Sequence, residues 1–340
     1  MTPAIFGIAG ETLTEDERAF FKACDPAGYI LFARNCIGKD QLRALTEDLC
    51  SIHGRERTFI SIDQEGGRVV RMKAPEWAAY PAGEAFDLLY AHAPASAIEA
   101  ARVNARAMGS ELAEMGITVD FHCPLDVRRE ETDNVIGDRS LGSDPMQVAA
   151  LGRAVIEGLG EAGVAGCLKH MPGHGRAMAD SHKELPRVDA SAEELEVDIL
   201  PFRSLASKAT IGMSAHILFS AWDSENPATL SQGIITDVIR GEIGFDGLLL
   251  TDDIDMQALD GTIAERSAKA IAAGCDLVLN CWAKIPDMEA TVDALPDISA
   301  LSAARLAAAL EIAPPAFGAD DRAELLSKRD ALLALGGQAA

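Results

Sequence analysis

Eight short apolar runs recur along this chain, and the longer amphipathic stretches between them limit the folds open to it. The runs are residues 4–10 (AIFGIAG), 29–34 (YILFAR), 58–63 (TFISID), 118–123 (TVDFHC), 164–170 (VAGCLKH), 210–216 (TIGMSAH), 247–253 (GLLLTDD) and 275–281 (CDLVLNC). They read as continuous rather than alternating apolar segments, as strands buried on both faces of a parallel sheet do. Helical periodicity is clear between them at 40–53, 95–116, 144–163 and 191–206. Ser191 with Glu194 three residues on is a capping-box signature, and Gly116, Gly163 and Gly274 stand where helices close before a strand. Eight such units in 340 residues predict an α/β fold, a (β/α)8 TIM-type barrel. We read residues 1–340 as a single domain with a helical tail from about 320. An open doubly wound sheet is the alternative, but no glycine-rich nucleotide fingerprint follows any run.

The charge balance excludes some partners. Fifty-three acidic against thirty basic residues give a formal net charge of −23. Such a chain has no basic footprint for nucleic acid, and an anionic membrane repels it, so neither is expected as a partner. No run approaches transmembrane length, and the N-terminus shows no basic segment leading into a long apolar one. The seven cysteines are an odd number without a CxxC pair, which reads as reduced thiols in a cytoplasmic protein.

In a barrel of this type the active site forms at the C-terminal ends of the strands, and the unusual polar residues fall there. The third run ends in Asp63, Gln64 and Glu65, with Arg68 and Arg71 beyond. The fourth leads to His122 and Asp126, the fifth to Lys169-His170, the sixth to His216 and the seventh to Asp252-Asp253. A single such group is commonly a loop ion pair, but five strand ends together point to a site. His170 and His174 have the spacing of a helical metal pair, but Pro172, Gly173 and Gly175 interrupt any helix, so no metal and no cofactor is expected. Asp180 and His182 are two apart, within reach of a carboxylate–imidazole hydrogen bond that would suit His182 to proton transfer near neutral pH. The competing reading of "ADSH" is a turn or helix start. Adjacent strand residues point to opposite faces, so Asp252 and Asp253 are not expected to face the mouth in the same way.

Four segments in order, SIDQEGGRVVRM, KHMPGHGRAMADSH, MSAHI and GFDGLLLTDDIDM, resemble the bacterial β-N-acetylhexosaminidases of glycoside hydrolase family 3. The resemblance runs from about residue 5 to about 285. It implies a retaining β-N-acetylglucosaminidase that removes nonreducing terminal N-acetylglucosamine through a covalent glycosyl-enzyme. It further implies, for cytoplasmic members, N-acetylglucosamine-containing muropeptides or oligosaccharides as substrates, in peptidoglycan recycling. Carried over residue by residue, Asp252 is the nucleophile and His182, paired with Asp180, the acid/base. Asp63, Arg71, Arg139, Lys169 and His170 are expected to bind sugar, with His216 in support. A β-glucosidase or a glycoside phosphorylase of the same wider family is the nearest alternative. A sugar-binding sensor without catalysis is the non-enzymatic one.

Overall fold

In the computed structural model, which describes residues 1–181, 183–312 and 319–336, the eight runs form eight parallel strands closed into a barrel. They are β1 (Thr2–Gly7), β2 (Pro26–Leu31), β3 (Phe59–Ile62), β4 (Val119–Asp120), β5 (Ala165–Met171), β6 (Ile211–Ser214), β7 (Leu248–Asp253) and β8 (Leu277–Asn280). β8 closes on β1 with Ala4 opposite Val278 and Phe6 opposite Asn280. The expected (β/α)8 architecture is therefore the observed one. His182 and the last four residues of the expected tail lie outside the described residues.

The main departures are at strand ends. β1 and β2 begin upstream of the apolar runs, because Thr2 pairs with Pro26. β4 is only two residues long, yet its backbone keeps bonding to β5 beyond it. Lys169 N donates to Cys123 O at 3.1 Å, and Leu125 N donates to Lys169 O at 2.7 Å. This extension delivers Asp126 to the mouth.

Helices wrap the barrel: α1 (Glu15–Cys24), α2 (Lys39–Ser51), α3 (Gly83–Tyr90), α4 (Pro94–Glu114), α5 (Pro145–Glu161), α6 (Ala192–Leu205), α7 (Ile263–Ala273), α8 (Ile285–Ala294), α9 (Ala300–Leu310) and α10 (Ala319–Leu333), with a π-helical segment at Ile234–Glu242. The Ser191–Glu194 box caps α6 reciprocally, as the spacing predicts. Gly116, Gly163 and Gly274 take φ of 76°, 80° and 118°, the left-handed conformation that ends helices. α10 is tied to α4 by Arg322, which donates to Ser110 Oγ at 2.7 Å and to Glu114 at 2.9 Å.

The barrel interior is a packed plug. Ile5, Phe59, Val119, Cys167 and Leu250 are among the residues filling it, all buried. Its uppermost residues, Ile30, Phe121, Met213 and Leu279, also line the cavity above. Close packing and the site thus share one layer of side chains.

The loop leaving β5 is held by close backbone approach. A Cβ on Gly175 would lie 2.0 Å from Val127 O, which no side-chain adjustment can relieve. Thr132 Oγ1 also donates to Gly175 O at 2.5 Å. Gly175→Ala should therefore lower stability by about 2 kcal/mol or more. A urea unfolding curve superimposable on the wild type would contradict this account.

Candidate active site

The mouth of the barrel holds a cavity of about 210 Å³ lined by Asp63, Arg68, Arg71, Arg139, Lys169, His170, Asp252 and Asp253, over the apolar floor just described. Phe32, Val69, Val135 and Cys281 complete the wall. Six of the nine residues expected in the site therefore meet around one space: Asp63, Arg71, Arg139, Lys169, His170 and Asp252.

A buried ion network forms one wall. Arg139 grips Glu65 with two parallel bonds, Nε to Oε2 and Nη2 to Oε1, each 2.8 Å. Lys169 Nζ lies 2.6 Å from Glu65 Oε1 and 3.0 Å from Asp63 Oδ1. Arg71 completes the chain at 3.2 Å from Asp63 Oδ2, with its guanidinium 5.2 Å from the Phe32 ring centroid. Glu65 and Lys169 are only 3% and 2% exposed. Burial opposes ionisation of Glu65, but Arg139 and Lys169 outweigh it and hold the carboxyl well below its usual range. Burial likewise opposes charge on Lys169, and Glu65 and Asp63 overcome it, so its pKa is raised. Arg139 and Lys169 are thus held in place by Glu65, and its charge favours their protonated forms.

A second anchor is Asp126, fully buried at the end of the β4 extension. Its Oδ2 accepts from His170 Nδ1 at 2.8 Å, and its Oδ1 accepts from the backbone N–H of His170 and of His174, at 3.2 and 2.7 Å. One carboxylate thus sets the ring of His170 and the start of the glycine-rich loop. The His170 and His174 rings meet edge-on, with centroids 5.6 Å apart.

Asp252 and Asp253 both border the cavity, and their carboxylates are engaged differently. The pairing of β7 with β8 shifts register between Leu277 and Leu279, and such an irregularity re-aims side chains at a strand end. Asp252 Oδ1 accepts from Asp253 N at 2.8 Å. Asp253 Oδ1 accepts from the N–H groups of Asp255 and Cys281, at 3.2 and 3.3 Å, which ties the ends of β7 and β8 together. Burial, reinforced by the charges of Asp255 and Asp252 against the bonds from Asp255 N and Cys281 N, raises the Asp253 pKa to about 7.

His216 is placed differently from a sugar contact. It is fully buried and does not line the cavity. Its Nε2 bonds the backbone carbonyl of Asp253 at 3.0 Å and its Nδ1 bonds Thr229 Oγ1 at 2.8 Å. Burial lowers its pKa, so the neutral ring braces the strand end that carries Asp252. Asp180 lies on the loop after β5, with Lys183 Nζ 3.1 Å from its Oδ2. The expected Asp180–His182 pairing involves a residue outside the described set.

Glu65 and Asp126 were visible at strand ends, but a strand-end position alone does not reveal that one neutralises two cations and the other orients two histidines. Among the described residues, no group of three or more metal-ligating side chains comes together, and no helix is long and apolar enough to cross a membrane.

A parallel barrel whose C-terminal mouth sets carboxylates against fixed cations over a small apolar floor is suited to an enzyme acting on a compact polyhydroxylated ring. Residues 8–311 match the glycosyl hydrolase family 3 N-terminal domain. The β-hexosaminidase of Bordetella avium is 37% identical over 284 residues, covering 82% of this chain and 80% of its own. That of Alkalilimnicola ehrlichii is 39% identical over 285 residues, covering 82% and 80%. The crystal structure of NagZ from Neisseria gonorrhoeae in complex with N-trifluoroacetyl-D-glucosamine superposes with a TM-score of 0.87 at 30% identity, covering 98% of both chains. This chain belongs to glycoside hydrolase family 3, and it is a glycoside hydrolase.

Two outcomes follow from the electrostatics. Glu65→Ala leaves Arg139 and Lys169 without their shared counter-charge, and it should cost about 3–5 kcal/mol in chemical unfolding. Burial also depresses His122 and His174 to about 4 each. Both histidines bind a proton more readily unfolded than folded, so stability should fall as pH drops from about 6.5 towards about 4. His122→Asn should flatten that slope in urea midpoints measured at pH 4.5 and 7, and an unchanged slope would count against it.

Proposed function

We propose that this enzyme is a retaining β-N-acetylglucosaminidase that acts through Asp252 as nucleophile and His182 as acid/base. The observation that carries the reading is the convergence of Asp252 with Asp63, Arg71, Arg139, Lys169 and His170 around one small cavity. Asp252 attacks the anomeric carbon while His182 protonates the departing oxygen, leaving the sugar ester-linked to Asp252. His182 then takes a proton from water, which attacks the same carbon and releases the sugar with its β configuration restored. Asp180 is assigned to orient His182. The charged donors Arg71, Arg139 and Lys169 suit hydroxyl and acetamido oxygens. The names of the relatives, and the N-acyl glucosamine in the gonococcal complex, support N-acetylglucosamine as the released sugar.

The finer assignment is to muropeptides or related oligosaccharides, with cell-wall recycling in the cytoplasm as the setting. All seven cysteines are free thiols, which supports a reducing compartment.

The test is release of nitrophenol from 4-nitrophenyl N-acetyl-β-glucosaminide and from the matching β-glucoside. Wild type should cleave the first far faster than the second. Asp252→Ala should abolish measurable turnover, and His182→Ala should lower kcat/KM by about 10²–10⁴-fold. NMR of the first-formed sugar should show the β anomer. Activity that survives Asp252→Ala, or an α anomer appearing first, would rule out this mechanism. Turnover that requires phosphate would favour the phosphorylase reading.

A further inference from the structure

The end of β8 carries a feature that neither the core nor the cavity uses. Trp282 follows Cys281, which lines the cavity, and it is 60% exposed. Leu88, Met146 and Leu301 are also exposed, but they lie on α3, α5 and α9, where scattered apolar groups are ordinary. Trp282 stands instead at the C-terminal end of a barrel strand, the face on which substrates bind.

The backbone beside it is unusual. Ala283 has φ of 55°, a left-handed conformation that a residue with a Cβ rarely adopts. Across that turn, Lys284 Nζ lies 6.0 Å from the Trp282 ring centroid. Lys284 is also 3.5 Å from Asp287, one helical turn on, in an exposed contact of little strength. Burial raises the Asp255 pKa and the Lys284 charge opposes it, which puts Lys284 near the loop that follows Asp252 and Asp253. The indole and the ammonium therefore sit at the seam between the ends of β7 and β8.

We propose that Trp282 and Lys284 form a platform for the aglycone, the ring that leaves with the scissile oxygen. This rests on the reading of the cavity as the site of the nonreducing sugar. At about 210 Å³ the cavity is smaller than typical pockets for larger ligands, so it suits one ring and leaves the next at the rim. The C–H face of a pyranose is complementary to the electron-rich face of an indole. Lys284 gives this position a local preference for an anionic substituent, in a chain whose net charge of −23 otherwise repels one.

The test compares kcat/KM on three substrates: N-acetyl-β-glucosaminyl fluoride, N,N′-diacetylchitobiose, and the β-1,4 disaccharide whose second ring carries the lactyl carboxylate of muramic acid. The fluoride has no second ring and serves as the reference. Trp282→Ala should lower the ratio of each disaccharide to the fluoride by about tenfold, mainly through KM, and Trp282→Phe should restore most of it. Lys284→Gln should lower the ratio by about fivefold for the carboxylate-bearing disaccharide alone. Unchanged ratios with normal fluoride turnover overturn the platform and leave the sugar-site reading intact. A Lys284→Gln effect equal on both disaccharides overturns the role of its charge. No turnover of the fluoride by wild type overturns the sugar-site reading and the platform with it.

Discussion

Glu65 sits almost without water between Arg139 and Lys169, and the arrangement of the mouth depends on that contact. Removing three charges from water is costly, and only close, multiply bonded geometry recovers the cost. Here the recovery is built in. Arg139 binds both carboxylate oxygens, and Lys169 bridges onward to Asp63. The network joins the loop after β3, the end of β5 and the short 3-10 turn at Gly137–Arg139. These are segments far apart in sequence whose relative placement defines the cavity. A site that must hold polar oxygens in fixed positions gains from cations that cannot swing away, because the ordering cost is met in folding and not on binding.

Asp126 does the corresponding work for the imidazoles. Its three accepted bonds set the His170 ring and the first turn of the loop that leads to Asp180. The packing of Gly175 against Val127 O fixes the same loop from the other side. His216, buried beyond the end of β6, fixes the carbonyl of Asp253. All three contacts bear on the residues expected to react, and each acts at least partly through backbone groups that no motif displays.

This difference explains what could be read in the sequence. The barrel was legible because burial on both faces leaves a continuous apolar signature in every strand, and because Ser191 and the three closing glycines mark helix ends by local chemistry. The mouth residues were legible because charge at the end of an apolar run is conspicuous. What was not legible depends on register. Asp252 and Asp253 both border the cavity where the pairing of β7 with β8 shifts register, and alternation along a single strand carries no trace of its neighbour's pairing. His216 looked like Lys169 and His170 in sequence, since each closes an apolar run. Only the positions of Thr229 and Asp253 show that its ring turns away from the cavity.

The charge balance of the site fits the proposal that a histidine serves as the acid/base. At the mouth, Asp63 and Glu65 are paired with Arg71, Arg139 and Lys169, while Asp252 and Asp253 border the same cavity in a strongly acidic protein. Asp253 already gives way, with burial holding its pKa near 7. A further carboxylate as acid/base would tip this balance, raise its neighbours' pKa values and repel an acceptor bearing a carboxylate of its own. An imidazole moves the same proton and contributes no negative charge in either of its states. The cations proposed to hold the sugar can then remain committed to Glu65 and Asp63.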